Sequence, residues 1–198
     1  MTGLDVLAGP PVDVAPLLLG AVLSHAGVSL RLTEVEAYDG ADDPGSHAYR
    51  GPTKRNQVMF GSPGHLYCYF TYGMHVCCNV VCREEGRAGA VLLRAGEVID
   101  GIETARSRRP KSSDRDLARG PARLCRALGI ALDDDGADLS SGPIRLSMPT
   151  TAPANGGGGT REISTGPRVG LRQAPDWAWR FWLSGEPTVS AYRPAKPR

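Results

Sequence analysis

Leu17, Leu18, Leu19, Val22 and Leu23 follow Asp13 at spacings that lay an apolar stripe along a helix, with Asp13 suited to the N-cap and Pro16 tolerated in the first turn. The pattern predicts a first helix ending near Gly27. Over residues 28–36 it becomes extended: Val28, Leu30 and Leu32 alternate with polar neighbours and Val35 continues the run, so that Glu36 closes an apolar strand. Residues 39–64 carry Gly, Pro, Asp and Ser throughout and read as a long loop with a turn of helix at 42–45; loops of that length in a compact domain are usually functional. Two strands, at 66–71 and 75–82, are joined tightly at Tyr72-Gly73-Met74, which sets Tyr72 at the tip of a hairpin. A third apolar strand covers 90–95 and includes Arg94. A helix is predicted from Pro121 with Gly129 as its stop, and 142–148 and 181–183 are further strand candidates. Residues 149–160, with four consecutive glycines, read as a flexible loop.

At 198 residues the chain is long enough for one full core and short for two. Apolar residues at 41% and charged residues at 22% are ordinary for a soluble globular protein, and no run reaches the roughly 18 apolar residues of a spanning helix. The first residues lack the positive start and apolar core of a signal peptide, so a cytoplasmic protein is expected. Five cysteines, four of them at 68, 77, 78 and 82 in the apolar hairpin, read as buried free thiols. No second pair answers Cys78 and Cys82, so no metal site is expected. The net charge of +2 is unevenly spread: residues 106–126 hold Arg106, Arg108, Arg109, Lys111, Arg115, Arg119, Arg123 and Arg126 against Asp114 and Asp116. That segment reads equally as a phosphate-contacting surface or as a solvated basic connection.

Glu36, Tyr38, His47, Tyr67, Tyr69 and Tyr72 bring a carboxylate, a histidine and several rings into a short span. Such a set suits a pocket that holds a flat, electron-poor ring beside a carboxylate, and chemistry on a nucleobase is the reading. A base in a duplex must be rotated out and held by stacking while something fills the gap, and hydrolysis of its glycosidic bond needs a carboxylate to activate water. Tyr38, Tyr69 and His47 are the candidates for the pocket, Tyr72 for the wedge and Glu36 for the base. Each has a plainer reading. A strand-end carboxylate usually faces solvent, strand tyrosines usually pair across the sheet, His47 in a polar loop is simply exposed, Asn79 in an apolar strand caps a backbone group, and Arg94 is a surface cation.

At these residues the chain resembles the alkyladenine DNA glycosylase family, the 3-methyladenine DNA glycosylases of the Aag or Mpg type. The resemblance rests on Leu32-Thr-Glu-Val-Glu-Ala-Tyr38, on His47 with Arg50-Gly-Pro-Thr-Lys-Arg-Asn56, and on Pro63-Gly-His-Leu-Tyr-Cys-Tyr-Phe-Thr-Tyr-Gly-Met74. It continues through Cys78-Asn79, Val91-Leu-Leu-Arg-Ala95, Gly120-Pro-Ala-Arg-Leu-Cys-Arg-Ala-Leu128 and Pro167-Arg-Val-Gly170, and spans about Leu17 to Ser190. It implies a mixed α/β (α+β) fold in one catalytic domain, residues 1–198 with a core of about 13–192. That fold has a curved antiparallel sheet, flanking helices and a protruding hairpin that inserts into DNA, and is similar to the C-terminal domain of methionyl-tRNA formyltransferase. The resemblance implies Glu36 as general base and Arg94 as holder of the attacking water. It implies Tyr38, His47 and Tyr69 as residues that stack on or hydrogen-bond the flipped base, Asn79 as the screen against the exocyclic amine of guanine, and Val169 where backbone groups meet base and water. Tyr72 corresponds to the tyrosine inserted into the minor groove. Arg50, Lys54, Arg55, Arg119 and Arg123 are the candidate contacts to the DNA backbone.

The matched pocket motifs hold no lysine to act as an amine nucleophile, so one-step hydrolysis by water is expected rather than Schiff-base chemistry, with no metal or organic cofactor. The expected substrates are alkylated, deaminated or etheno-bridged purines in double-stranded DNA, met by a monomer that leaves an abasic site to an endonuclease. His75 and Thr71 depart from the family pattern, which has a tyrosine and commonly an aliphatic residue there; both flank Tyr72 and bear on insertion depth and lesion preference. Two other readings stand beside this one. A duplex-binding module of the same fold would have no use for Glu36, and a free-nucleoside hydrolase would leave Tyr72 and the arginine cluster without purpose.

Overall fold

In the computed structural model, residues 3–71, 73–149 and 162–195 are described. Tyr72 and the glycine-rich stretch 150–161 lie outside the described residues, and with them the wedge and the flexible loop expected there.

Pro11 occupies the first turn, where its missing N–H costs nothing, and α1 (Pro11–Leu17) begins there, before Asp13. It stops just after Pro16, and Gly20, at φ +85°, turns the chain. Val22 and Leu23, expected on the helix, instead form β1 (Val22–His25). The cause is the next turn. Ala26 and Gly27 both have positive φ, 45° and 78°, as a two-residue hairpin turn of the primed kind requires, and they fold β1 back onto β2 (Val28–Tyr38) with His25 opposite Val28.

The remaining strands are β3 (Leu66–Thr71), β4 (His75–Val81), β5 (Ala90–Asp100), β6 (Arg145–Ser147), β7 (Ile163–Gly166) and β8 (Arg180–Leu183). They join one curled antiparallel sheet in the order β3-β4-β5-β2-β1-β6, with β8 pairing with both β2 and β7. Among the described residues three α-helices, α1, α2 (Ile102–Arg108) and α3 (Pro121–Leu128), complete the mixed α/β architecture the resemblance implies. Helix α2 was not foreseen, and β2 and β5 run longer than their apolar patterns suggested. The loop's turn of helix lies at Gly40–Asp42 rather than 42–45, and a second one forms at Gln57–Phe60.

Alternation along β3 separates the two faces of the sheet. Leu66 and Cys68 join the main core with α1 and α3, whereas Tyr67 and Tyr69 meet Ala48 and Met59 of the 39–64 loop on the other side. That second cluster anchors the long loop over the sheet. All five cysteines are free and buried, and burial pushes the Cys77 thiol up to about 12, so it stays protonated at neutral pH.

The pairing of β2 with β5 is irregular where it matters. Register passes from Leu32 opposite Gly96, to Glu34 opposite Ala95, to Val35 opposite Leu93, so Thr33 and Arg94 are extra residues on their strands. A slip of one residue exchanges the faces of a strand. Before it Leu30 and Leu32 point into the main core; after it Val35 and Ala37 do. Glu34, Glu36 and Tyr38 are thereby turned to the other face, where Ser190 meets Glu34, Val169 meets Glu36, and Gly45 and His47 of the long loop share a cavity with Tyr38.

Candidate active site

Glu36 is fully buried and its carboxylate is bonded from three directions. Oε1 accepts the Val169 N–H at 2.7 Å, and Oε2 accepts the Tyr38 hydroxyl at 2.9 Å. Arg94 stands further off, 3.4 Å from Nε to Oε1 and 3.5 Å from Nη1 to Oε2. Burial together with the adjacent Glu36 charge keeps the Tyr38 hydroxyl protonated far above its usual range, so it remains a donor to the carboxylate. Behind the ring of Tyr38 lies the Arg168 guanidinium, 4.7 Å from the ring centre, held by Asp43 at 2.8 Å and by the Ala37 carbonyl at 3.0 Å.

A cavity of about 470 Å³ opens beside this group, lined by Tyr38, His47, Tyr67, Tyr69, Asn79 and Leu171 among others. A second, of about 390 Å³, reaches Glu36, Arg94 and Val169. Tyr38, Tyr69, Thr71 and Gly170 line both, so the expected ring-holding residues and the expected catalytic ones adjoin. Volumes of this size hold small planar ligands with room to spare. His47 stands edge-on to Tyr69, with ring centres 4.6 Å apart, and Tyr67 stacks on Tyr69 at 5.6 Å.

The protonation of His47 follows from its neighbours. Its Nδ1 lies 3.2 Å from the Tyr67 hydroxyl. Burial pushes that hydroxyl up to about 12, so it keeps its proton at neutral pH. His47 itself is exposed at the pocket edge, and desolvation together with the Arg55 charge holds its imidazole below its usual value, which leaves it neutral at pH 7. Asn79 satisfies its plainer reading as well: its amide nitrogen donates to the Tyr67 carbonyl at 3.0 Å, which leaves the side-chain carbonyl as an acceptor for the cavity it lines.

The expected backbone-contacting cations divide into three groups. Arg55 is turned to the pocket wall, where it donates to the Phe70 carbonyl at 3.2 Å and lies over the Tyr69 ring at 5.4 Å. Arg50 and Lys54 are exposed. Arg119 donates to the Val189 carbonyl at 2.8 Å, and Arg123 lies 3.9 Å from Asp116; both border a smaller hollow shared with Arg94 and Arg193. Much of the remaining charge of the 106–126 segment is spent internally. Arg106 pairs with Glu103 and Asp114, and Arg108 caps the carbonyls of Ala127 and Ala26.

Sequence reasoning missed Glu34, Asp43, Arg168, Arg180 and Ser190. Glu34 collects Arg94, Arg180 and Ser190; burial alone would raise its carboxyl, but the two arginine charges and the Ser190 N–H outweigh that and hold it below the usual carboxylate range. Its spacing from Glu36 was a usable signal. The other partners are remote in sequence and left none.

A curled antiparallel sheet here presents a buried, hydrogen-bonded carboxylate beside an aromatic cavity with donors and acceptors on its walls, an arrangement with the shape and chemistry to hold a flat heterocycle. Residues 5–187 match the family described as methylpurine-DNA glycosylase (MPG). The chain is 53% identical to a protein of Leifsonia xyli subsp. xyli, with 96% of this chain and 92% of the relative covered. It is 51% identical to one of Streptomyces avermitilis (98% and 92% covered) and 49% identical to one of Mycobacterium tuberculosis (96% and 93% covered). Each of these relatives bears the name "Putative 3-methyladenine DNA glycosylase". The chain belongs to the methylpurine-DNA glycosylase family. It is a DNA glycosylase of the 3-methyladenine type, a hydrolase of N-glycosyl bonds whose substrate is DNA.

Proposed function

We propose that this glycosylase flips alkylated, deaminated or etheno purines out of duplex DNA and hydrolyses the N-glycosidic bond with a water activated by Glu36, the first step of base excision repair. The observation that carries the reading is the Glu36 carboxylate, fixed by the Val169 N–H and the Tyr38 hydroxyl where the two cavities adjoin. In this reading Glu36 takes a proton from water, the water oxygen bonds to the anomeric carbon, and the glycosidic electron pair leaves with the base. Bases that are already cationic leave most readily, and the Glu36 anion stabilises the cation-like sugar. Tyr38, Tyr69 and His47 hold the ring, with His47 and the Asn79 oxygen meeting its edge and Asn79 excluding guanine. Arg94 holds the water, and Tyr72 fills the gap in the duplex. The exposed flanks of the hairpin tip, Phe70 and Met74, suit such an insertion. Arg50, Lys54, Arg119 and Arg123 contact phosphates.

Among the described residues no lysine lines either cavity, which favours direct hydrolysis over a Schiff base and leaves an abasic site for a separate endonuclease. One chain supplies every group named, and a monomer is the form proposed to act. The test is single-turnover excision from a duplex carrying one hypoxanthine or ethenoadenine, with abasic sites cleaved chemically afterwards. Wild type releases the base; Glu36→Gln binds the duplex as well but is slower by on the order of 10²–10⁴. Binding by both with no release across several lesions would overturn the reading in favour of a binding module. Tyr72→Ala that leaves affinity and excision untouched would remove the wedge.

A further inference from the structure

Glu34 is fully buried two residues before Glu36, on the same side of β2. It accepts from Arg94 Nε at 2.8 Å, Arg180 Nε at 2.7 Å, the Ser190 N–H at 2.6 Å and the Ser190 hydroxyl at 2.9 Å. Two carboxylates therefore face two guanidiniums in a closed, neutral group. Burying four charges is costly, and an apolar cluster of the same volume stabilises a fold at least as well. The arrangement calls for another reason.

Arg94 shows where that reason lies. As the extra residue of the β5 irregularity it is aimed between Glu34 and Glu36, yet it divides itself unequally between them. Its contact with Glu34 is 2.8 Å, an ordinary charge-assisted bond, while its approaches to Glu36 are 3.4 and 3.5 Å. A guanidinium left beside a lone carboxylate closes on it with two parallel bonds of about 2.7–2.9 Å. Glu34 competes for the Nε edge, and Ser190 takes Nη2 at 3.3 Å. Of the bonds around Glu36, the long one to Arg94 is the easiest for a water molecule to enter.

We infer that Glu34 is a positioning residue for the hydrolysis: it draws Arg94 back from Glu36, so that a water can lie between the general base and the guanidinium instead of the two closing into an ion pair. Arg180 and Ser190 hold Glu34 ionised and in place for that purpose. The inference rests on the reading of Glu36 as general base. Without Glu34, Arg94 closes on Glu36, occupies the lone pairs that would receive the water proton, and leaves the base pocket unaltered.

The experiment measures single-turnover excision, affinity for the lesion duplex and melting temperature for Glu34→Gln, Glu34→Asp, Arg94→Gln and the double variant Glu34→Gln/Arg94→Gln. Glu34→Gln is expected to lose on the order of 10- to 100-fold in rate, as displacement of about 1 Å in a catalytic group does, with duplex affinity retained. Glu34→Asp keeps the charge and recovers part of that loss. Because Glu34 acts through Arg94, the double variant is no slower than Arg94→Gln alone. A Glu34→Gln protein that melts earlier but excises at the wild-type rate when folded would overturn the inference, as would losses that multiply in the double variant.

If Glu34→Gln does not fold, Ser190→Ala removes one bond to Glu34 and one from Arg94 without stranding a charge. A severalfold loss of rate is then expected, and an unchanged rate overturns the inference. The two readings fail separately. Wild type that releases no base overturns both, whereas active wild type, inactive Glu36→Gln and wild-type behaviour in Glu34→Gln overturn this one alone.

Discussion

Arg168 carries its charge at 1% exposure, its guanidinium carbon 4.7, 5.2 and 5.9 Å from the ring centres of Tyr38, Trp179 and Trp177, and Asp43 is the anion that answers it. Asp43 also accepts the N–H groups of Gly45 at 2.9 Å and Asp39 at 3.3 Å, which ties the start of the His47 loop to the segment that presents Val169 to Glu36. Asp43→Ala strands a buried cation, a change that costs about 3–5 kcal/mol. A fall in melting temperature and a slower excision step are both expected, because Tyr38 and Val169 lose their common support. Thermal unfolding that matched wild type would show that the aromatic rings suffice for Arg168. None of this was visible beforehand: Asp43 sits in an Asp-Asp-Pro-Gly run that looks like turn chemistry, and its partner is 125 positions away. Glu36, Tyr38 and Asn79 were easier to find, since each lies on a strand whose apolar pattern shows and in a motif the family resemblance covers.

The loop that carries His47 leaves β2 through Gly40, whose φ of +53° few other residues adopt and whose Cβ, if it had one, would sit 2.3 Å from the Ala88 carbonyl oxygen. Backbone cannot yield there as a side chain would. Gly40→Ala should therefore cost at least about 2 kcal/mol, or roughly 4–8 °C in a chain of this size. Gly27→Ala serves as the comparison: φ is +78° but the surrounding space is open, so the dihedral alone costs about 1 kcal/mol. Equal losses for the two variants would mean that the Ala88 contact contributes nothing. The same hairpin turn explains the main error of element assignment. Leu17 to Leu23 fits a helix or a strand equally well, and the choice was made by Ala26 and Gly27, which lie beyond the run. Helix α2 was hidden for a different reason, since Ala105 is its one fully buried residue and its surface is charged. The β3–β4 hairpin and α3 were legible because their apolar residues and their glycine stops agree.

Across the whole molecule 23 basic residues exceed 21 acidic ones by two, a surplus too small to describe how the protein meets DNA. The arrangement of the charges says more. Arg31, Arg83, Arg94, Arg106, Arg168 and Arg180 are all committed to carboxylates within the fold, whereas Arg50 and Lys54 are exposed on the loop that also bears His47. Binding of a lesion duplex should weaken with salt, and each phosphate contact removed should flatten the plot of log affinity against log salt by about 0.9. Arg50→Ala and Lys54→Ala are each expected to reduce the slope by that amount. Arg106→Ala should leave it unchanged, because that guanidinium is already neutralised by Glu103 and Asp114 and its loss frees two carboxylates on the surface. A plot flattened as much by Arg106→Ala as by Arg50→Ala would mean that the duplex senses total charge and not placement. The pairing within the 106–126 segment would then have no bearing on where the DNA lies.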